Sequence, residues 1–98
     1  MKSVEHLAIV TLEMARAALW YERREAVLGE RFLAAVREAE SFISKNPLLG
    51  QPFRRDTRKW RVPAFPYTVI YREEPARIMV FAIAHAKRRP GYWLARLR

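Results

Sequence analysis

Lys59, Arg61, His85, Lys87, Arg88, Arg89 and Tyr92 carry the side-chain types that metal-free cleavage of a phosphodiester in RNA requires. One group must take the 2′-hydroxyl proton, one must protonate the leaving oxygen, and cations must stabilise the extra negative charge of the transition state. His85 closes an apolar run and opens the cluster His85-Ala86-Lys87-Arg88-Arg89-Pro90-Gly91-Tyr92-Trp93. Because imidazole titrates near neutrality, His85 suits an acid/base or a phosphate contact. The competing role, a hydrogen-bonded histidine that fixes the turn, is the expected one. Arg88 and Arg89 follow a buried strand and point to both of its sides, so at least one reaches the surface beside His85.

Other chemistries are not supported. There is no glycine-rich phosphate loop, no serine in a glycine elbow and no histidine pair at metal spacing. The two histidines stand at opposite ends of the chain, so neither a metal nor a cofactor is expected. The absence of cysteine removes disulfides and thiolate zinc sites. The N-terminus lacks the apolar run of a signal peptide, and no apolar stretch approaches the ~20 residues of a membrane span. A cytoplasmic protein without membrane contact is expected.

The charge narrows the choice of partner. The net charge is +9, and residues 1–49 cancel with seven Lys/Arg against seven Asp/Glu. Residues 50–98 hold twelve against three and carry the whole excess. A basic surface with aromatics beside it suits a polyanion or an acidic protein.

These residues need elements to position them. The 98-residue chain reads as one domain, 1–98, with 51% hydrophobic residues. Val4 to Val10 suits an opening strand, with Thr11 as the cap of a helix from Leu12 to about Ala26 and Glu13 in its first turn. Leu28-Gly29 then breaks the helix. From Glu30 to Asn46, Phe32, Val36, Ala39 and Ile43 form one apolar stripe, and the two helices make an antiparallel hairpin. Leu48 to Thr57 reads as a loop. Strands are expected over Arg58–Val62, Tyr67–Glu73 and Arg77–Ala84, with turns at Pro63-Ala64-Phe65-Pro66 and Glu74-Pro75. The last strand is apolar on both sides, Met79, Phe81 and Ile83 sharing a face with His85 and Ile78, Val80, Ala82 and Ala84 lying on the other. Pro90 opens a short terminal helix, Gly91 to Leu97. Trp60, Phe65, Tyr67 and Tyr71 are expected in the core rather than as base-stacking platforms. Trp20 and Tyr21 read either as core or as an anchor for another chain on the outer surface of the hairpin.

The order of elements, with Trp20-Tyr21-Glu22, Leu28-Gly29-Glu30-Arg31-Phe32, Asn46-Pro47-Leu48-Leu49-Gly50-Gln51-Pro52, Phe65 through Arg72 and His85 through Trp93, resembles the ParE/RelE superfamily of toxins from bacterial type II toxin-antitoxin modules. The likeness runs over nearly the full length. It implies an α+β fold: an N-terminal strand and helical hairpin packed on a small antiparallel-dominated sheet, with a short C-terminal helix. It also implies growth inhibition and a cognate antitoxin, usually acidic where it meets the toxin. RelE-like members are ribosome-dependent mRNA endonucleases, and that branch would use Lys59, Arg61, His85, Arg88 and Tyr92. The residue after Tyr67, commonly arginine there, is Thr68 here. ParE-like members poison DNA gyrase by contact, and the Gln51-Pro52 turn and long hairpin favour that branch. Residues expected to meet target or antitoxin are Trp20, Tyr21, Arg58, Lys87, Arg89 and Trp93. A basic nucleic-acid-binding module without toxicity is a third reading.

Overall fold

The computed structural model describes residues 1–97. Its elements run β1 (Ser3–His6), α1 (Ala8–Arg24), α2 (Leu28–Lys45), β2 (Gln51–Pro52), β3 (Arg58–Arg61), β4 (Tyr67–Glu73) and β5 (Arg77–His85), with 3₁₀ turns at Arg54–Asp56 and Leu94–Arg96. The strands form one sheet in the order β1-β5-β4-β3-β2. Only the β1–β5 pair is parallel, and the other ladders are antiparallel. The expected α+β architecture is therefore the observed one, with the helical hairpin on one face of the sheet.

The hairpin forms earlier in the chain than its apolar spacing suggests. Ala8-Ile9-Val10 begins α1 instead of extending β1, because β1 stops where its pairing with β5 ends at His6↔Val80 and Val10 then turns inward to full burial. Thr11 accordingly is no cap: Leu7 occupies that position without a side-chain bond, and Glu13 lies beyond the first turn. Gly29 does not break a helix either. It sits in the first turn of α2, where an added Cβ would meet the Ala18 carbonyl oxygen at 2.4 Å, so only glycine permits the close crossing of the two helices. The reversal falls at Glu25–Val27, with Val27 left-handed at φ 73°. Glu22 completes it from the preceding helix, accepting Val27 N–H at 2.8 Å and Gly29 N–H at 2.9 Å. A carboxylate there meets both the orphan donors and the positive end of the helix dipole.

Phe32, Val36, Ala39 and Ile43 of α2 are fully buried against the sheet, as their spacing requires. The β5 faces depart from strict alternation. Ile70 pairs with Ala82 and Tyr71 with Val80, so Phe81 is an extra residue, a β-bulge. Ile83 consequently joins Ile78 and Val80 on the helix side, while Ala82 joins Ile70 and Trp93 on the opposite side. The expected grouping of Ile83 with Met79 and Phe81 fails for that reason. The segment Leu48 to Thr57 holds the short β2 and a 3₁₀ turn. It is tied to the core by Tyr71, whose hydroxyl donates to Pro47 O at 2.8 Å and accepts from Gly50 N–H at 2.9 Å. The C-terminal helix is replaced by turns and 3₁₀ structure, since Gly91 is left-handed at φ 76° and interrupts any helix from Pro90.

Tyr71→Phe leaves a buried donor and acceptor unmet. We expect it to lower stability in urea titrations by about 1–3 kcal/mol with an unchanged slope.

Candidate functional site

The face of the sheet away from the helices is half covered. Along β3, Trp60 packs toward the helix-side core, so Lys59 and Arg61 project from the other face, beside Ile70 and Thr68 of β4. The C-terminal segment folds back over this face. Ala86 N–H donates to Pro66 O at 2.8 Å, Lys87 N–H to His85 Nδ1 at 3.0 Å and Arg88 N–H to His85 O at 3.0 Å, which makes a tight turn. Trp93 then lies on Ile70 and Ala82 with its ring 5.8 Å from that of Phe53.

What stays uncovered is a cleft of about 400 Å³ lined by Phe53, Arg54, Lys59, Thr68, His85, Arg88 and Arg89, with the Pro90-Gly91 turn as its wall. The Lys59 ammonium sits 4.3 Å above the Phe53 ring. A Cβ on Gly91 would lie 2.7 Å from Arg54 Nη1, so the glycine lets this guanidinium close against the turn. An adjoining cleft of about 300 Å³ shares His85, Arg88 and Tyr92 and reaches Glu13 and Arg16 of α1. A third, of about 780 Å³, runs along the β2–β3 edge and shares Lys59 and Thr68 while adding Arg58 and Arg61.

One arginine holds this arrangement. Arg96 makes a bidentate pair with Glu13, at 2.9 and 2.7 Å, and donates to Phe81 O at 3.0 Å. The Tyr92 ring lies between two guanidiniums, 3.7 Å from Arg88 and 5.1 Å from Arg96. Burial raises the Tyr92 pKa, with Glu13 adding to the rise and Arg88 and Arg96 partly offsetting it. The hydrogen bond to Glu13 likewise raises that of Arg96.

The structure thus brings Lys59, His85, Arg88, Arg89 and Tyr92 into adjoining clefts, with Arg61 one step along the sheet. His85 fixes the turn, in the role expected of it, and touches Tyr67 edge-on at 4.9 Å. Lys87 is exposed beside it. Arg58 is engaged locally, donating to Gly50 O at 2.9 Å. Trp20 is half exposed on α1 with the Arg24 guanidinium stacked on it at 3.4 Å. Two expected contact residues are turned inward, Tyr21 in part and Trp93 almost wholly. Tyr21 turns inward onto Phe32 and Phe65, 5.3 and 5.0 Å away, because it stands one position past the outward stripe of α1. Trp93 is 3% exposed, since it is the residue that closes the uncovered sheet face. Arg54, Phe53 and the Glu13–Arg96 pair were not legible as site residues; the pair is separated by 83 positions and no local pattern joins it.

The cations at the site differ from the few that are paired. Lys2, Arg77 and Arg96 pair with Glu73, with Glu5 and Glu74, and with Glu13. Among the described residues, Arg54, Lys59, Arg61, Lys87, Arg88 and Arg89 have no carboxylate partner. No metal-binding group of His, Asp or Glu occurs among the described residues, and no helix there is long and apolar enough to cross a membrane.

The family model for the ParE toxin of the type II toxin-antitoxin system parDE matches residues 12–90. A solved structure of a chromosomal ParDE TA system from P. aeruginosa is similar, with a TM-score of 0.78 over 89% of this chain and 98% of that one. The identity is 12%, so this likeness speaks for the fold. No curated protein matches the sequence.

Arg96→Ala strands Glu13 and frees the C-terminal turn. Faster amide exchange over residues 88–96 and a red-shifted Trp93 emission are expected, while α2 stays protected. A second expectation concerns Tyr67, whose pKa is pushed up to about 12 by burial and by Tyr21 and Tyr92 nearby. An unfolded tyrosine ionises near about 10, so above that pH the unfolded state loses its proton first. Stability should fall as pH rises through this window, and Tyr67→Phe should flatten the fall in melting temperature.

Proposed function

The chain belongs to the ParE toxin family of type II toxin-antitoxin systems, and from that premise we propose that it arrests growth as a binding protein on DNA gyrase, in the cytoplasm. The observation that carries this reading is the state of the proton-transfer groups. His85 Nδ1 accepts Lys87 N–H, which assigns the ring proton of the neutral form to Nε2, so the remaining nitrogen is a donor and not a base. Tyr92 is held between two guanidiniums with its ionisation disfavoured by burial. Thr68 supplies no cation at the position where the RelE-like branch keeps arginine. What remains is a preformed basic surface suited to contact.

The second reading, a ribosome-dependent mRNA endonuclease, is supported by Lys59, His85, Arg88 and Tyr92 lining adjoining clefts. It requires the turn to release His85 so that a base becomes available.

The antitoxin has a surface of its own on α1, which among the described residues meets the clefts only at Arg16. Ile9, Leu12, Leu19 and Trp20 are exposed along one side of α1, interleaved with Arg16, Arg23 and Arg24. An antitoxin segment with an apolar stripe and acidic flanks complements that helix face.

Purified protein is expected to inhibit gyrase supercoiling and to produce gyrase-dependent DNA cleavage at micromolar concentration. No effect on gyrase, together with codon-positioned cleavage of mRNA on stalled ribosomes, would replace this reading by the second. Leu12→Asp should retain growth arrest while losing rescue by the cognate antitoxin. Undiminished rescue would place the antitoxin elsewhere.

A further inference from the structure

We propose that the cationic track crossing the uncovered sheet face is a binding site for a single strand of nucleic acid, held through its phosphates and left uncut. The strand is DNA of the gyrase complex, and only this last assignment rests on the function proposed above.

The track is continuous and one-signed. Arg61 and Lys59 line the edge cleft, and Lys59 passes the track to Arg54, Arg88 and Arg89 in the cleft under the C-terminal turn. Among the described residues, no carboxylate lines either cleft. Arg77 and Arg96 have carboxylate partners, whereas Arg61, Lys59, Arg54, Arg88 and Arg89 are gathered on one surface with none. Held together without a counter-charge they repel one another, and a polyanion relieves that repulsion while releasing its own counterions.

The shape selects a strand over a duplex. The cleft beside the Pro90-Gly91 turn has a volume of about 400 Å³, the scale of a single nucleotide rather than of a base-paired helix. Planar groups are already in place for an unpaired base. The Arg88 guanidinium carbon lies 3.7 Å from the Tyr92 ring centroid, and a guanidinium is a group on which a base can stack. The closeness of Arg54 to Gly91 gives the track a fixed point, since that guanidinium is braced by the turn. An acidic peptide would satisfy the charges as well, and competition between polyglutamate and oligonucleotide separates the two.

The test uses the full chain and a fluorescein-labelled 12-mer oligodeoxynucleotide, followed by anisotropy across salt. Neutralising four or five phosphates predicts a slope of log K against log salt of about −3, and Arg54→Ala with Arg89→Ala should weaken binding at least tenfold and reduce the slope by about 1.4. Arg31→Ala with Arg37→Ala on α2 serves as the control and should leave both unchanged. The oligonucleotide should be recovered intact. Absent binding, equal loss in track and control variants, a duplex bound as tightly as the strand, or displacement by polyglutamate at lower concentration than by unlabelled oligonucleotide would each overturn the site. With gyrase present, the Arg54/Arg89 variant should still be captured by the enzyme but no longer trap cleaved DNA. Strand binding that holds while the wild-type chain leaves gyrase untouched would sink the gyrase assignment and keep the site.

Discussion

The organisation of the functional face depends on one side chain, Arg96. The extra residue at Phe81 takes a carbonyl out of the β4–β5 ladder, and Arg96 uses that carbonyl together with both oxygens of Glu13. Three anchors on two different elements then define where the last turn of the chain lies. Everything that makes the uncovered face a cleft follows: Trp93 laid on the sheet, Tyr92 between two arginines, Gly91 against Arg54. A half-buried bidentate pair is well suited to this, because its geometry is fixed and loss of either partner leaves a desolvated charge.

Parts of the chain governed by local chemistry were readable from sequence. β4 and β5 are bounded by turn residues, and the α2 stripe repeats at three and four, so their positions follow from side-chain alternation and helical period. The misread parts answer to tertiary contacts. Ala8-Ile9-Val10 has strand composition, but the strand can extend only as far as its partner pairs. The bulge at Phe81 leaves no compositional mark, because both β5 faces are apolar whichever way the chain slips. Tyr21 and Trp93 are the residue types of an exposed anchor and equally of a core. Which they become depends on a crossing helix and a folded-back terminus, and nothing adjacent in sequence encodes either.

The separation of two surfaces gives the protein its logic. Ile9, Leu12, Leu19 and Trp20 form an exposed apolar row on the outside of α1, and the cationic cleft under the C-terminal turn lies on the opposite side of the sheet. The two respond to different physics: burial on one side, which salt leaves largely intact, and screened electrostatics on the other. A partner that uses the first need not compete with one that uses the second. The half of the sequence with balanced charge builds the former, and the half with the excess builds the latter.

The Glu22 bonds to Val27 and Gly29 span only 5 and 7 positions, whereas β1 reaches β5 across 72 or more. Contacts that close short loops form first. On a ribosome the two helices can therefore assemble as soon as residue 45 has emerged, at a stage when the basic cleft has no β3, no β5 and no terminal turn. The exposed apolar side of α1 can therefore take shape while the cationic face of the sheet is still unmade, so synthesis itself separates the two in time.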